Sequence, residues 1–203
     1  MGGIFLTNKE IRSRADDFRL KNWGEEVPVD VERLIEKLGI DFVIIPGLMK
    51  IASSSAFITS DWKCVCVDRD CYNDEKQDKF LRFSLAHELG HFVLHKELYE
   101  SLGIKDLYSY LYFWENISED DYNYIEHPAE RFAGYLLVPF NKLFKYRNDL
   151  LEQKSEEIRL FDNNPSLLNA YLARSLNDKF GIGFKAMKIA LDKFDREFID
   201  EDG

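Results

Sequence analysis

Three of the four histidines in this 203-residue chain fall at positions 87, 91 and 95, within the run Arg82-Phe83-Ser84-Leu85-Ala86-His87-Glu88-Leu89-Gly90-His91. His87, Glu88 and His91 form a His-Glu-x-x-His pattern inside a segment that reads as helix. Residues four apart on a helix lie on one face, one turn from each other. Two imidazoles so placed can hold one zinc ion, and the glutamate after the first can lean toward a water on that ion and act as general base. A third protein ligand is required, with water in the fourth position. His95 continues the same face, but it sits about 12 Å from His87 along the axis at ~1.5 Å per residue, too far to share the ion. It reads instead as a histidine that supports the ligands from behind.

The third ligand is sought on a following helix, in Glu126-His127-Pro128-Ala129-Glu130-Arg131-Phe132-Ala133. Glu126 and Glu130 are four apart. In one division Glu126 binds the metal and Glu130 accepts a hydrogen bond from the far nitrogen of a ligating histidine; the reverse is open. The structural alternative makes both solvated carboxylates at a helix start, favoured by its dipole. A His₂-carboxylate set suits Zn²⁺, one per chain, and also Mn²⁺ or Fe²⁺. Tyr72, Tyr122, Tyr124 and His127 are candidates for stabilising an oxyanion, with nothing to choose among them.

These motifs need elements to position them. Thr7-Asn8-Lys9-Glu10 is a capping box opening a helix to Trp23, with Gly24 as its stop. A short helix follows Pro28 and Asp30 and ends at Gly39. Residues 40–45, 55–59 and 63–68 read as strands, the last two joined by a tight polar turn as an antiparallel pair. The motif helix covers about 78–96, with Leu81, Leu85, Leu89 and Phe92 on its core face. Gly90 within it costs about 1 kcal/mol relative to Ala, which makes sense if a second helix needs room there. The aromatic run Leu107–Trp114 reads either as a packing flap or as a wall of a substrate cleft. A helix starting after Pro128 and ending at Pro139 is expected, then helices near 141–160, 165–179 and 184–198. The fold class expected is α+β: a mostly helical single domain over 1–203 with a small three-stranded antiparallel sheet. Its parts are 1–75 (helices and sheet), 76–140 (metal-site helices) and 141–203 (C-terminal helices).

Composition limits the function. A formal net charge of −10 argues against this chain itself gripping a nucleic-acid backbone. A turn of helices across 172–191 resembles a DNA-contacting element, but its lysines are offset by Asp178, Asp192 and Asp195. No apolar run approaches the ~20 residues of a membrane span, and no signal-like leader opens the chain, so a cytoplasmic protein is expected. The three cysteines, Cys64, Cys66 and Cys71, read as free thiols; a second metal site at Cys64 and Cys66 lacks further ligands nearby.

The stretch from Arg82 to His95 resembles the signature of the ImmA/IrrE (DUF955) zinc metallopeptidases. So does the later Glu126-x-x-Ala129-x-x-Phe132-Ala133-x-x-Leu136-Leu137-Val138-Pro139. Pro28-Val29-Asp30 through Leu38-Gly39-Ile40, and Leu176-x-x-x-Phe180-Gly181-Ile182, are also similar to that family. The resemblance implies a zincin-like metallopeptidase core, with His87, His91 and Glu126 on zinc and Glu88 as base. It further implies a protein substrate, typically a helix-turn-helix repressor. Asn or Asp usual in the family at the position of Glu130 fits a hydrogen-bond acceptor. Pro128 departs from the family's pattern. A module that sequesters its repressor without cutting it, around a structural metal, is the alternative.

Overall fold

The computed structural model describes residues 6–161 and 164–201. Their helices, in chain order, are α1 (Asn8–Asn22), α2 (Val31–Lys37), α3 (Leu48–Ala52), α4 (Arg69–Asn73), α5 (Asp78–Leu94), α6 (Lys96–Leu102), α7 (Leu107–Asn116), α8 (Glu119–Leu137), α9 (Phe140–Gln153), α10 (Ser155–Ile158), α11 (Pro165–Phe180) and α12 (Phe184–Glu201). The strands are β1 (Asp41–Ile45), β2 (Ala56–Ile58) and β3 (Cys64–Asp68). The class is α+β, mostly helical with one small sheet.

The sheet differs from the expectation in one respect. Its order is β1-β3-β2; β2 runs antiparallel to β3, but β1 pairs parallel to β3, in register Asp41↔Cys64 to Ile45↔Asp68. The sheet is therefore mixed, not antiparallel. The cause lies in the connection: Gly47, in a left-handed conformation, turns β1 into α3, and the chain passes through β2 before β3 returns beside β1. Alternation of apolar residues fixes which face of a strand is buried, not the direction in which it pairs.

Contacts divide the chain into two compact units, Met1–Glu26 with Asp30–Leu136, and Val27–Val29 with Leu137–Gly203. In the first, α5 is the central element and packs against α1, α2, α4, α6 and β2. Leu81, Leu85 and Leu89 are buried along it as the pattern requires. The predicted capping box holds: Thr7 Oγ1 accepts from Glu10 N, and Glu10 Oε2 accepts from Thr7 N at 2.8 Å. In the second unit α11 and α12 pack together around Leu172, Leu176, Phe180, Met187 and Leu191. Gly181, in the left-handed region, closes α11 with its N–H on Asp178 and that of Ile182 on Asn177. On this pair Lys188 and Lys193 are engaged by Asp192 and Glu197.

The helix expected to follow Pro128 begins nine residues earlier. α8 runs unbroken from Glu119 to Leu137 with Pro128 in its interior. Its start is set by Ser118, whose hydroxyl accepts from Asp121 N at 3.1 Å, and by the acidic first turn Glu119, Asp120 and Asp121. Tertiary packing of Ile125, Ala129, Phe132, Ala133 and Leu136, all buried, outweighs the cost of the proline. Among the described residues no helix is long and apolar enough to cross a membrane. The three cysteines are free, and burial pushes the Cys66 thiol up to about 12.

Candidate metal centre

α5 delivers His87 and His91 one turn apart, their Nε2 atoms 3.0 Å from each other. α8 brings Glu126 against both. Its Oε2 lies 3.0 Å from His87 Nε2 and its Oε1 3.2 Å from His91 Nε2. A tetrahedral ion with bonds of about 2.0–2.1 Å holds its ligand atoms roughly 3.3 Å apart, so these three donors stand close to the spacing of a shared metal. Glu126 Oε1 is buried and, though near His91, has no aligned hydrogen bond. A buried carboxylate oxygen without a donor is costly unless a cation satisfies it. The donor set and its orphaned oxygen fit a divalent metal.

The Glu88 carboxylate also lies within 4.8 Å of the two histidines' ligand atoms. It is tied elsewhere: its Oε2 accepts the Ile58 N–H at 2.9 Å. Ile58 is on the free edge of β2, so the sheet edge anchors the glutamate beside the histidines. Burial, the strongest influence, pushes its carboxyl up to about 8; the neighbouring His87 and the Ile58 N–H oppose that rise.

The other groups divide unequally. Burial would raise Glu126, but hydrogen bonding to His87 and the closeness of His91 hold it well below the ordinary carboxylate range. Burial favours neutral His87, yet Glu126 and the charges of Glu88 and Glu130 together raise it. His91 is lowered, by burial first. His95 caps α5, where the chain bends into α6. That bend points His95 Nδ1 to 3.3 Å from His91 Nδ1, on the side away from Glu126. Burial and then the nearby His91 depress its pKa to about 3, so it stands as a neutral imidazole.

Glu130 is exposed one turn beyond Glu126, and among the described residues it hydrogen-bonds to neither histidine. The structure thus brings together His87, Glu88, His91, Glu126 and His95, and leaves Glu130 outside.

In front of the histidines opens a pocket of about 220 Å³, with Ser54, Ser55, Phe80, Tyr110 and Trp114 among its walls. The aromatic run supplies a wall through Tyr110 and Trp114 on α7. Tyr110 stacks on Phe57 of β2, centroids 4.4 Å apart. Tyr72, Tyr122, Tyr124 and His127 do not line this pocket. Two contributors escaped the sequence reading. Tyr99 stacks on His91 at 5.0 Å and on Trp62 at 5.2 Å, fixing the histidine's ring plane. Ser55 Oγ donates to Ser84 Oγ at 2.7 Å, tying the strand to α5 one turn before His87. Nothing in local sequence announces these pairings; only Ser84's place on the histidine face hints at the second.

An α+β fold that gathers two histidines and a carboxylate at one pocket defines a metallopeptidase-like domain. Residues 36–192 match the family model described as peptidase M78, the IrrE N-terminal-like domain, and the chain belongs to that family. A solved structure of a Mycobacterium tuberculosis transcriptional regulator is 16% identical, with a TM-score of 0.47; the alignment covers 88% of this chain and 45% of that one. The chain therefore spans less than half of that protein's length. No curated protein matches it.

Proposed function

We propose that the chain is a zinc-dependent endopeptidase acting on a specific protein, with a helix-turn-helix transcriptional repressor as its substrate. The observation that carries the peptidase reading is the convergence of His87, His91 and Glu126 beside a glutamate anchored by the sheet edge. His87 Nε2, His91 Nε2 and the Glu126 carboxylate would hold the ion. Bound there, zinc supplies a Lewis acid for the scissile carbonyl and makes a water acidic enough to deprotonate near neutral pH.

The chain's own residues do the rest. Glu88 Oε2 is occupied by the Ile58 N–H, which leaves Oε1 to take the water's proton and return it to the departing amine. With Nε2 on the metal, His91 would carry its proton on Nδ1 and donate it to His95 Nδ1, 3.3 Å away, which holds that tautomer. Tyr99 keeps that ring from rotating. The substrate is read from the family's habit, not from the site.

A second reading has one observation in its favour. The pocket, at about 220 Å³, is smaller than the ~300–1,000 Å³ usual for small-ligand sites. A module that sequesters a repressor around a structural metal would need no wider cleft.

Metal analysis of purified protein, with the Glu126→Ala and Glu130→Ala variants beside it, tests the centre. One zinc per chain, lost with Glu126 and kept with Glu130, is the expected result. No stoichiometric metal after zinc addition would sink the peptidase reading. Incubating a repressor with wild type and with Glu88→Gln separates the two readings. Cleavage by wild type alone supports proteolysis, while equal binding without cleavage by both supports sequestration.

A further inference from the structure

A second, larger cavity of about 750 Å³ lies on the other side of the metal-binding helices, between α1, the end of α5 and α8. Its size falls within the ~300–1,000 Å³ range of small-ligand sites. Leu94, Tyr124 and Pro128 give it apolar walls, and Arg14 from α1 and Arg131 from α8 bring cations to it.

Two features set this lining apart. The chain carries 37 acidic residues against 27 basic ones, so an arginine without a carboxylate partner runs against its composition. Yet among the described residues neither Arg14 nor Arg131 makes a hydrogen bond or a close ion pair; Arg14 acts on Glu10, one turn back along α1, only through charge. Both are on the same cavity, where Asp120 is the one carboxylate among the described residues. The second feature is its back wall. His95 lines the cavity, and its Nδ1 touches His91 Nδ1. Its other nitrogen has no hydrogen-bond partner among the described residues. An occupant of the cavity therefore meets the same imidazole that orients a proposed metal ligand.

We propose that this cavity is an effector site for a small organic anion, an apolar body bearing a carboxylate or phosphate, held by Arg14 and Arg131 and coupled to the metal centre through His95. Guanidinium groups form paired bonds to both kinds of anion, and Leu94, Tyr124 and Pro128 accommodate the body. A ligand that shifts or fixes His95 alters how firmly His91 is held, and by linkage its binding and zinc binding change each other's affinity by the same factor. The coupling rests on the reading of the metal centre; the anion site does not.

Calorimetric titration of the full chain with benzoate, phenyl phosphate and inorganic phosphate tests it. The expected result is one site per chain for benzoate or phenyl phosphate, and their ranking identifies the head group. Affinity should fall at least tenfold in Arg14→Gln/Arg131→Gln and persist in Glu126→Ala, which separates this site from anion capture at the metal centre. In wild type, saturating ligand should change zinc affinity several-fold. Equal binding by wild type and the double arginine variant would overturn the site. Inorganic phosphate binding as tightly as phenyl phosphate would overturn the requirement for an apolar body. Ligand binding with zinc affinity unmoved would overturn the effector role. Failure of wild type to bind zinc at all is a separate result that counts against the metal centre and leaves the anion titration to be judged alone.

Discussion

Gly90 and Ala129 meet backbone to backbone: a Cβ added at position 90 would lie 2.9 Å from both the Cα and the carbonyl oxygen of Ala129. This approach lets α8 come close enough to α5 for Glu126, one turn before Ala129, to reach the two histidines. The glycine inside the motif helix is thus the condition for bringing Glu126 against His87 and His91.

Gly90→Ala is expected to lower the melting temperature by several degrees. Forced contact costs about 1–3 kcal/mol, more than the ~1 kcal/mol that alanine gains in helix propensity. Zinc retention should fall with it, as α8 is pushed outward. Gly134, also in α8, has nothing within 4 Å of an added Cβ, so Gly134→Ala should stabilise. Thermal unfolding of both variants checks the contrast, and equal gains would refute the close approach.

His95→Ala should weaken zinc binding roughly 10- to 100-fold, the usual effect of losing the partner of a ligating histidine, with little change in helix content. His95→Asn should recover part of the loss, since its side-chain oxygen can accept near the place of Nδ1. Zinc affinities from chelator competition decide it. Unaltered affinity in the alanine variant would remove His95 from the centre.

Glu88 sets a pH signature in the metal-free protein. Its folded-state carboxyl is pushed up to about 8, against ~4.3 when unfolded. A raised value means that the proton stabilises the fold: the contribution is complete below about pH 4 and is lost as pH rises through 8. Glu126, held low, acts with the opposite sign, and its contribution is lost only in acid. Glu88→Gln removes the first effect alone. The variant's melting temperature, with chelator present, should gain on wild type by about 10 °C between pH 5 and pH 8.5. Parallel curves would show that Glu88 is charged throughout.

Pro128 denies α8 the hydrogen bond that its N–H would give to the Tyr124 carbonyl. Pro128→Ala should therefore raise stability by about 1–2 kcal/mol, less than the ~3 kcal/mol of an interior proline because the unfolded chain also gains freedom. Denaturant melts measure it. A loss of stability would mean that packing around the proline ring outweighs the missing hydrogen bond.

The site was legible in sequence where its chemistry is local. His87 and His91 share a face because of helical period alone, and Gly90 announced a close neighbour because glycine in a helix is otherwise unfavourable. Pro128 misled, since the proline rule takes no account of burial. The stronger signal was Ser118 with its acidic first turn, the true helix start. Glu130 is a different case: spacing of four from Glu126 suggested a shared task, and the structure shows its carboxylate exposed, acting on His87 through charge without a hydrogen bond.

What the sequence by itself determined is the α5 face, the α+β class, the cap at Thr7, the β2–β3 hairpin and the family. Each rests on periodicity or on contacts within a few residues. Only the tertiary structure decided that β1 runs parallel to β3, that His95 faces His91 at the bend into α6, that Tyr99 braces the ring, and that Ile58 anchors Glu88. Those relations join residues distant along the chain or depend on where a helix bends. They are set by how buried surfaces fit together, for which one sequence carries no local code.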